Sequence, residues 1–187
     1  MVLNHKLTND EHSYGWGPVI MHWLIALAII GLYPLGWYIE TLDYYDPAYR
    51  TIPVWHKSIG IIVAMVLAVR LIWRSFNKPP APLPQPRKMI IAAKIAHALL
   101  YLLLLITLIS GYLISTADGR AIELFNLINI PALPFAIDNQ EDLAGLIHFI
   151  VATILISLAA IHAIAALKHH FIDKDITLKR MLALREE

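Results

Sequence analysis

Five histidines fall inside otherwise apolar stretches: His22, His56, His97, His148 and His162. An imidazole in such a place can bond neighbouring helices together, relay a proton or ligate a metal. One such residue is adequately explained as packing glue; five are not. Their spacing says more. In LIHFIVATILISLAAIHAIAAL (146–167), His148 and His162 lie fourteen residues apart. At 100° per residue, fourteen residues come within about 40° of four full helical turns and rise roughly 21 Å. The two imidazoles therefore share one face at two depths. Arg70 follows His56 by the same fourteen residues, and His169 follows His162 by seven, again on nearly the same face.

The elements that must carry these residues are membrane helices. Charged residues make up 16% of the chain, against about 25% in soluble domains. A bilayer crossing needs roughly 20 apolar residues, and four runs qualify: about 18–39, 53–73, 90–115 and 143–167. Backbone polar groups cannot go unpaired in lipid, and the runs are too long for barrel strands, so all four are predicted to be helical. The expected fold is a single all-α integral membrane domain, a bundle of four transmembrane helices. The first run reads as a span rather than a cleaved leader. Seventeen residues precede it with only Lys6 as firm positive charge, and it ends in YIETLDYY without a small-residue cleavage pattern.

Charge placement sets the expected orientation. Twelve of the fifteen Lys and Arg residues lie in the N-terminal flank, the 2–3 linker with its edges, and the C-terminal tail; only Arg50, Lys57 and Arg120 lie on the other side. Cationic flanks stay cytoplasmic, which places both termini and the 2–3 linker inside and the 1–2 and 3–4 loops outside. The linker NKPPAPLPQPRK packs five prolines into eight positions. It reads as an extended spacer rather than a recognition motif. The apolar 3–4 segment IELFNLINIPALPF is expected on the membrane surface or as a cap on the bundle. The net charge of +1 gives no signal for nucleic acid.

With that orientation, His56 and His148 share the outer level, and His22 and His162 the inner one; His97 also lies in the inner half. Two stacked cofactors in a bundle core need this arrangement, and haem irons held by axial histidines fit it best. Ligation by two histidines fills both axial positions and favours electron transfer over oxygen binding. The chain has no cysteine, which excludes disulfides, thiolate zinc sites, iron–sulfur clusters and a covalently attached c-type haem. Arg70 is a candidate partner for an inner haem propionate, with a snorkelling interface arginine as the alternative. Gly60, Ala159, Ala160 and Ala163 leave room beside the ligands, and equally suit close helix packing. His169, at the inner surface, is a candidate proton donor to a quinone head group; His170 is expected to point elsewhere, as a surface residue. The five tryptophans (Trp16, Trp23, Trp37, Trp55 and Trp73) fall mostly near span ends, as an aromatic belt requires. Geometry alone leaves His22 and His97 both open as the inner partner of His162.

The motifs MHW at His22, WHKSIGI at His56, AHALLYLLL at His97, GLIHF at His148 and IHAIAALKHHFIDKDITLKRM from Ile161 resemble the bacterial cytochrome b561 family of diheme membrane proteins, over nearly the whole chain. The resemblance implies four axial ligands matching His22, His56, His148 and His162, two b haems, and exchange with the quinone pool of the bacterial inner membrane. It places His169 near the cytoplasmic quinone and makes His97 a histidine that is not a ligand. Superoxide oxidation at the outer face, with electrons passed to ubiquinone, is an activity the family implies. ISTADGRAIELF and LKHHFIDKD resemble a branch some of whose members accompany a periplasmic isoprenoid-binding, lipocalin-like protein.

The expected function is electron transfer between the quinone pool and a periplasmic one-electron donor or acceptor, superoxide or a redox protein. No catalytic side chain is assigned. An anchor subunit relaying electrons for a larger redox enzyme is the alternative. A histidine-lined metal or proton transporter fits less well: the spans lack carboxylates, no internal repeat is visible, and four helices leave little room for a pathway.

Overall fold

The computed structural model describes residues 2–3, 6–134, 138–182 and 184–185. Phe135, at the end of the apolar 3–4 segment, lies outside the described residues. The architecture is four long helices: α1 (Trp16–Glu40), α2 (Thr51–Phe76), α3 (Arg87–Ser115) and α4 (Gln140–Phe171), each long and apolar enough to cross a membrane. Their large apolar side chains stay mostly on the surface, Leu27, Ile30, Ile161 and Ile164 among them. In water this would be a liability; in lipid it is the required outer coat.

The helices start and stop for local reasons. Pro86 precedes α3, whose Met89 N–H is taken up by the Pro86 carbonyl. Glu141 and Asp142 open α4, and Lys168, His169 and His170 close it, each sign facing the helix-dipole end that favours it. Pro34 sits inside α1, an interruption that membrane helices tolerate because neighbouring groups re-satisfy the freed carbonyl.

The chain divides into two compact units, Met1–Ala26 with Val66–Leu100 and Ser157–Glu187, and Leu27–Met65 with Tyr101–Ile156. In the first unit β1 (Val2–Leu3) pairs antiparallel with β4 (Leu184–Arg185), which follows the one-turn helix α5 (Thr177–Arg180). The proline-rich linker has no regular structure there and is stitched on both sides. Ala81 N–H donates to Glu11 O and Asn9 Nδ2 to Lys78 O, while Arg180 donates to Ala81 O.

In the second unit the 3–4 segment forms a hairpin, β2 (Ile122–Leu124) with β3 (Ile128–Ile130). The sequence reading anticipated no strands, and these short ladders leave the all-α class unchanged. Phe125 and Asn126 adopt positive φ of 48° and 59° at the hairpin turn, a costly conformation for phenylalanine. Two contacts hold it. Phe125 N–H donates to Ser58 Oγ at 2.8 Å, and its ring meets Trp55 at 5.2 Å. Ser58 is fully buried, so the hairpin is tied to α2 two residues from His56.

Candidate functional site

In the second unit, His56 from α2 and His148 from α4 face each other with ring centroids 6.2 Å apart. A metal bonded to one nitrogen of each ring at about 2 Å would separate the centroids by roughly 6 Å. His148 Nδ1 lies 2.9 Å from the Thr107 carbonyl, so Nε2 is the nitrogen left to ligate. His56 Nδ1 is buried and makes no hydrogen bond among the described residues. Both rings lean on glycines. A Cβ on Gly36 would come within 3.3 Å of His56 Cε1, and one on Gly111 within 2.9 Å of His148 Cε1. Beside Gly60 there is open space.

In the first unit, His22 from α1 and His162 from α4 have ring centroids 6.5 Å apart, whereas His97 from α3 stands 5.3 Å from His162. The His22 separation matches the outer pair and leaves room for a metal between the rings; His97 packs closer than two metal–nitrogen bonds in line require. Trp23 stacks edge-on to His22 at 5.5 Å and donates its indole N–H to Met181 O at 2.8 Å, tying the C-terminal tail to the neighbour of a candidate ligand. Arg70 donates to the Pro18 carbonyl at 3.0 Å and lies within electrostatic reach of His22 and His97.

Each pair supplies two nitrogens, and no group of three or more His, Asp or Glu side chains suited to a bare ion occurs among the described residues. The donor set suits a cofactor that brings its own equatorial ligands, which is what a porphyrin does. The residues present therefore fit haem at both pairs.

His169 sits at the end of α4, its side chain 18% exposed. Lys174 takes a left-handed backbone (φ 55°) and Asp175 N–H returns to the His169 carbonyl, which folds two carboxylates back onto the ring. Nδ1 lies within ion-pair distance of both, 2.9 Å from Asp175 Oδ2 and 3.0 Å from Asp173 Oδ2, without being aligned for a hydrogen bond to either, and Lys168 pairs with Asp173 at 2.7 Å. Nε2 is the nitrogen available to a ligand. Partial burial works against ionisation of Asp175, but the hydrogen bond from Thr177 and the electrostatic influence of the adjacent His169 outweigh it and hold the carboxyl below its ordinary value. His170 is half-buried, its ring 4.8 Å from Phe171, and is not the open surface residue expected.

The sequence reading missed Gly36, Thr107, Ser110 and Gly111, which shape the outer pair, and Ser58. The signal available was slight: small residues one helical turn apart on α3, at 107, 110 and 111.

Four long apolar helices carry two imidazole pairs, each with its ring centroids about one metal's width apart. Comparison with known proteins identifies the family. The family model described as prokaryotic cytochrome b561 matches residues 13–183. Cytochrome b561 homolog 2 of Escherichia coli K12 is 47% identical over 178 residues, covering 95% of both chains. The probable superoxide oxidase CybB of Yersinia pestis is 31% identical over 170 residues, covering 87% of this chain and 91% of that one. Cytochrome b561 homolog 1 of Escherichia coli K12 is 30% identical over 175 residues, covering 90% and 96%. The chain belongs to the prokaryotic cytochrome b561 family. It is a multi-pass bacterial membrane protein of electron transfer, in a family that binds b-type haem.

Proposed function

We propose that the chain holds two b haems in the inner membrane, one between His56 and His148 and one between His22 and His162, and moves electrons between the quinone pool and a one-electron partner outside. The observation that carries this reading is the pair of ring separations, 6.2 and 6.5 Å. Bound haem would supply a one-electron change at iron. The protein's own part is to fix four imidazoles, to exclude water with the apolar walls of four helices, and to deliver protons where quinone is reduced. Cytoplasmic placement of both termini is supported by the cationic flanks and by the pairing of β1 with β4.

Superoxide is one candidate donor, by likeness to the Yersinia protein. Two superoxide anions would each give up one electron and leave as dioxygen, and the quinone would take up two electrons and two protons. The purified protein is expected to show a reducible b-type spectrum with two haems per chain, reduced by superoxide and reoxidised by a ubiquinone analogue. A colourless protein would end this reading.

At the inner surface, His169 would hand a proton to quinone through Nε2, with Asp173 and Asp175 beside Nδ1 to stabilise the charged ring. His169→Ala is expected to slow reoxidation of the reduced haems by ubiquinone by roughly tenfold or more, the scale of a lost general acid, with haem content unchanged. Unaltered quinone kinetics would remove His169 from the site.

One observation favours a protein donor over superoxide. The segments 40–57 and 118–142 carry eight carboxylates, Asp43, Asp46 and Glu123 among them, against three cations. That balance repels an anion and attracts a basic protein. Raising ionic strength from 0.01 M toward about 0.15 M, where the Debye length falls to about 8 Å, should speed haem reduction by superoxide and slow reduction by a basic redox protein. A superoxide rate that falls with salt would mean a local cationic entry site outweighs the acidic surroundings.

A further inference from the structure

We infer that the α3 segment 107–111, which contributes no ligand of its own, sets the ring orientation and electron-donating strength of His148 and so lowers the potential of the outer haem. The inference rests on His148 being an axial ligand. A carbonyl can only accept, so the 2.9 Å contact with Thr107 O fixes the imidazole proton on Nδ1 and the lone pair on Nε2. Ser110 Oγ stands 3.3 Å from the same nitrogen. Its own proton is directed back along α3, at the Ile106 carbonyl (2.8 Å) and the Thr107 carbonyl (3.0 Å), which leaves its lone pairs to share the Nδ1 proton. Ser110 is 3% exposed, so water does not compete.

Gly111 completes the seat. A Cβ there would stand 2.9 Å from Cε1 and 3.2 Å from Nδ1, closer than carbon packs without displacing something. The ring edge therefore rests directly on α3 backbone, and that contact fixes its rotation. A histidine that donates through its distal nitrogen is a more basic ligand, and stronger donation favours ferric over ferrous iron. His56, with its buried Nδ1 unbonded among the described residues, lacks this support. Within this pair, the contacts of Thr107, Ser110 and Gly111 fall on His148.

The test uses full-length membrane protein carrying Gly111→Ala or Ser110→Ala, read by potentiometric titration and by the low-spin ferric EPR signal. Gly111→Ala, which pushes the ring off the Thr107 carbonyl, is expected to raise the midpoint of the outer haem and shift its largest g value, leaving the inner haem's values unmoved. Ser110→Ala adds no bulk and should shift the same signals by less. If Gly111→Ala loses the outer haem outright, the Ser110→Ala shift decides. Outer signals unchanged in every variant that keeps the haem overturn the proposal, since a merely structural role would alter haem content or stability and not the potential of haem still bound. If His148→Ala removes the outer haem while these variants leave its signals alone, this inference fails and the ligand assignment stands. If His148→Ala removes nothing, the assignment itself fails.

Discussion

His148→Ala is expected to take the protein from two haems per chain to one, and His162→Ala to do the same with loss of the other haem. The surviving haem identifies which pair was broken: its midpoint and EPR signal should match one of the two components of the wild-type protein. On the proposed assignment each helix pair would offer two nitrogens to one iron, with ring centroids 6.2 Å apart at His56 and His148 and 6.5 Å at His22 and His162. Removing one leaves iron with a single protein bond in a space shaped for two. The loss extends to stability. A cofactor that binds only folded protein stabilises it by about 2.7 kcal/mol at a hundredfold excess over its Kd, so each variant should also melt lower in detergent. The double variant should be colourless. If both single variants retain two haems, neither α4 histidine is an essential ligand and the assignment falls. The prediction separates cleanly from folding failure, because the remaining haem reports that the rest of the chain is intact.

The positions of these histidines were legible because helical periodicity is a property of one segment. Fourteen residues between His148 and His162 define a common face whatever the neighbouring helices do. The helices outrun the apolar runs by a few residues at most ends, for example Gln140–Phe171 around the run 143–167, because Glu141, Asp142 and Lys168 to His170 are good helix-end residues that a hydropathy criterion discards. What stayed illegible depends on which helices are neighbours. Nothing local to Ser110 or Gly111 announces that His148, some forty residues on, lies against them. Nothing in the tail sequence announces that Asp173 and Asp175 come back onto His169 around the left-handed Lys174. The hairpin of residues 122–130 escaped because its turn places Phe125, which has no intrinsic preference for positive φ, where Ser58 and Trp55 can hold it.

His97 is the sharpest case. Sequence geometry placed it at the inner level beside His22, and only resemblance separated the two. The structure brings both rings to His162, at 6.5 Å for His22 and 5.3 Å for His97. The longer separation accommodates two metal–nitrogen bonds of about 2 Å plus the ring radii; the shorter does not. His22 also has a backing, with Trp23 edge-on to it and anchored to the Met181 carbonyl, as a ligand held in one orientation requires. His22→Ala should therefore remove the inner haem completely and leave one haem per chain. His97→Ala should keep both haems, moving the inner haem's midpoint or spectrum without changing the stoichiometry. The reverse outcome, with haem lost in His97→Ala and retained in His22→Ala, would exchange the two roles and make α3 rather than α1 the helix that faces α4 across the inner iron. A double variant distinguishes substitution from independence. If His97 can replace His22 when the latter is removed, His22→Ala alone retains some inner haem and only the double variant loses it all.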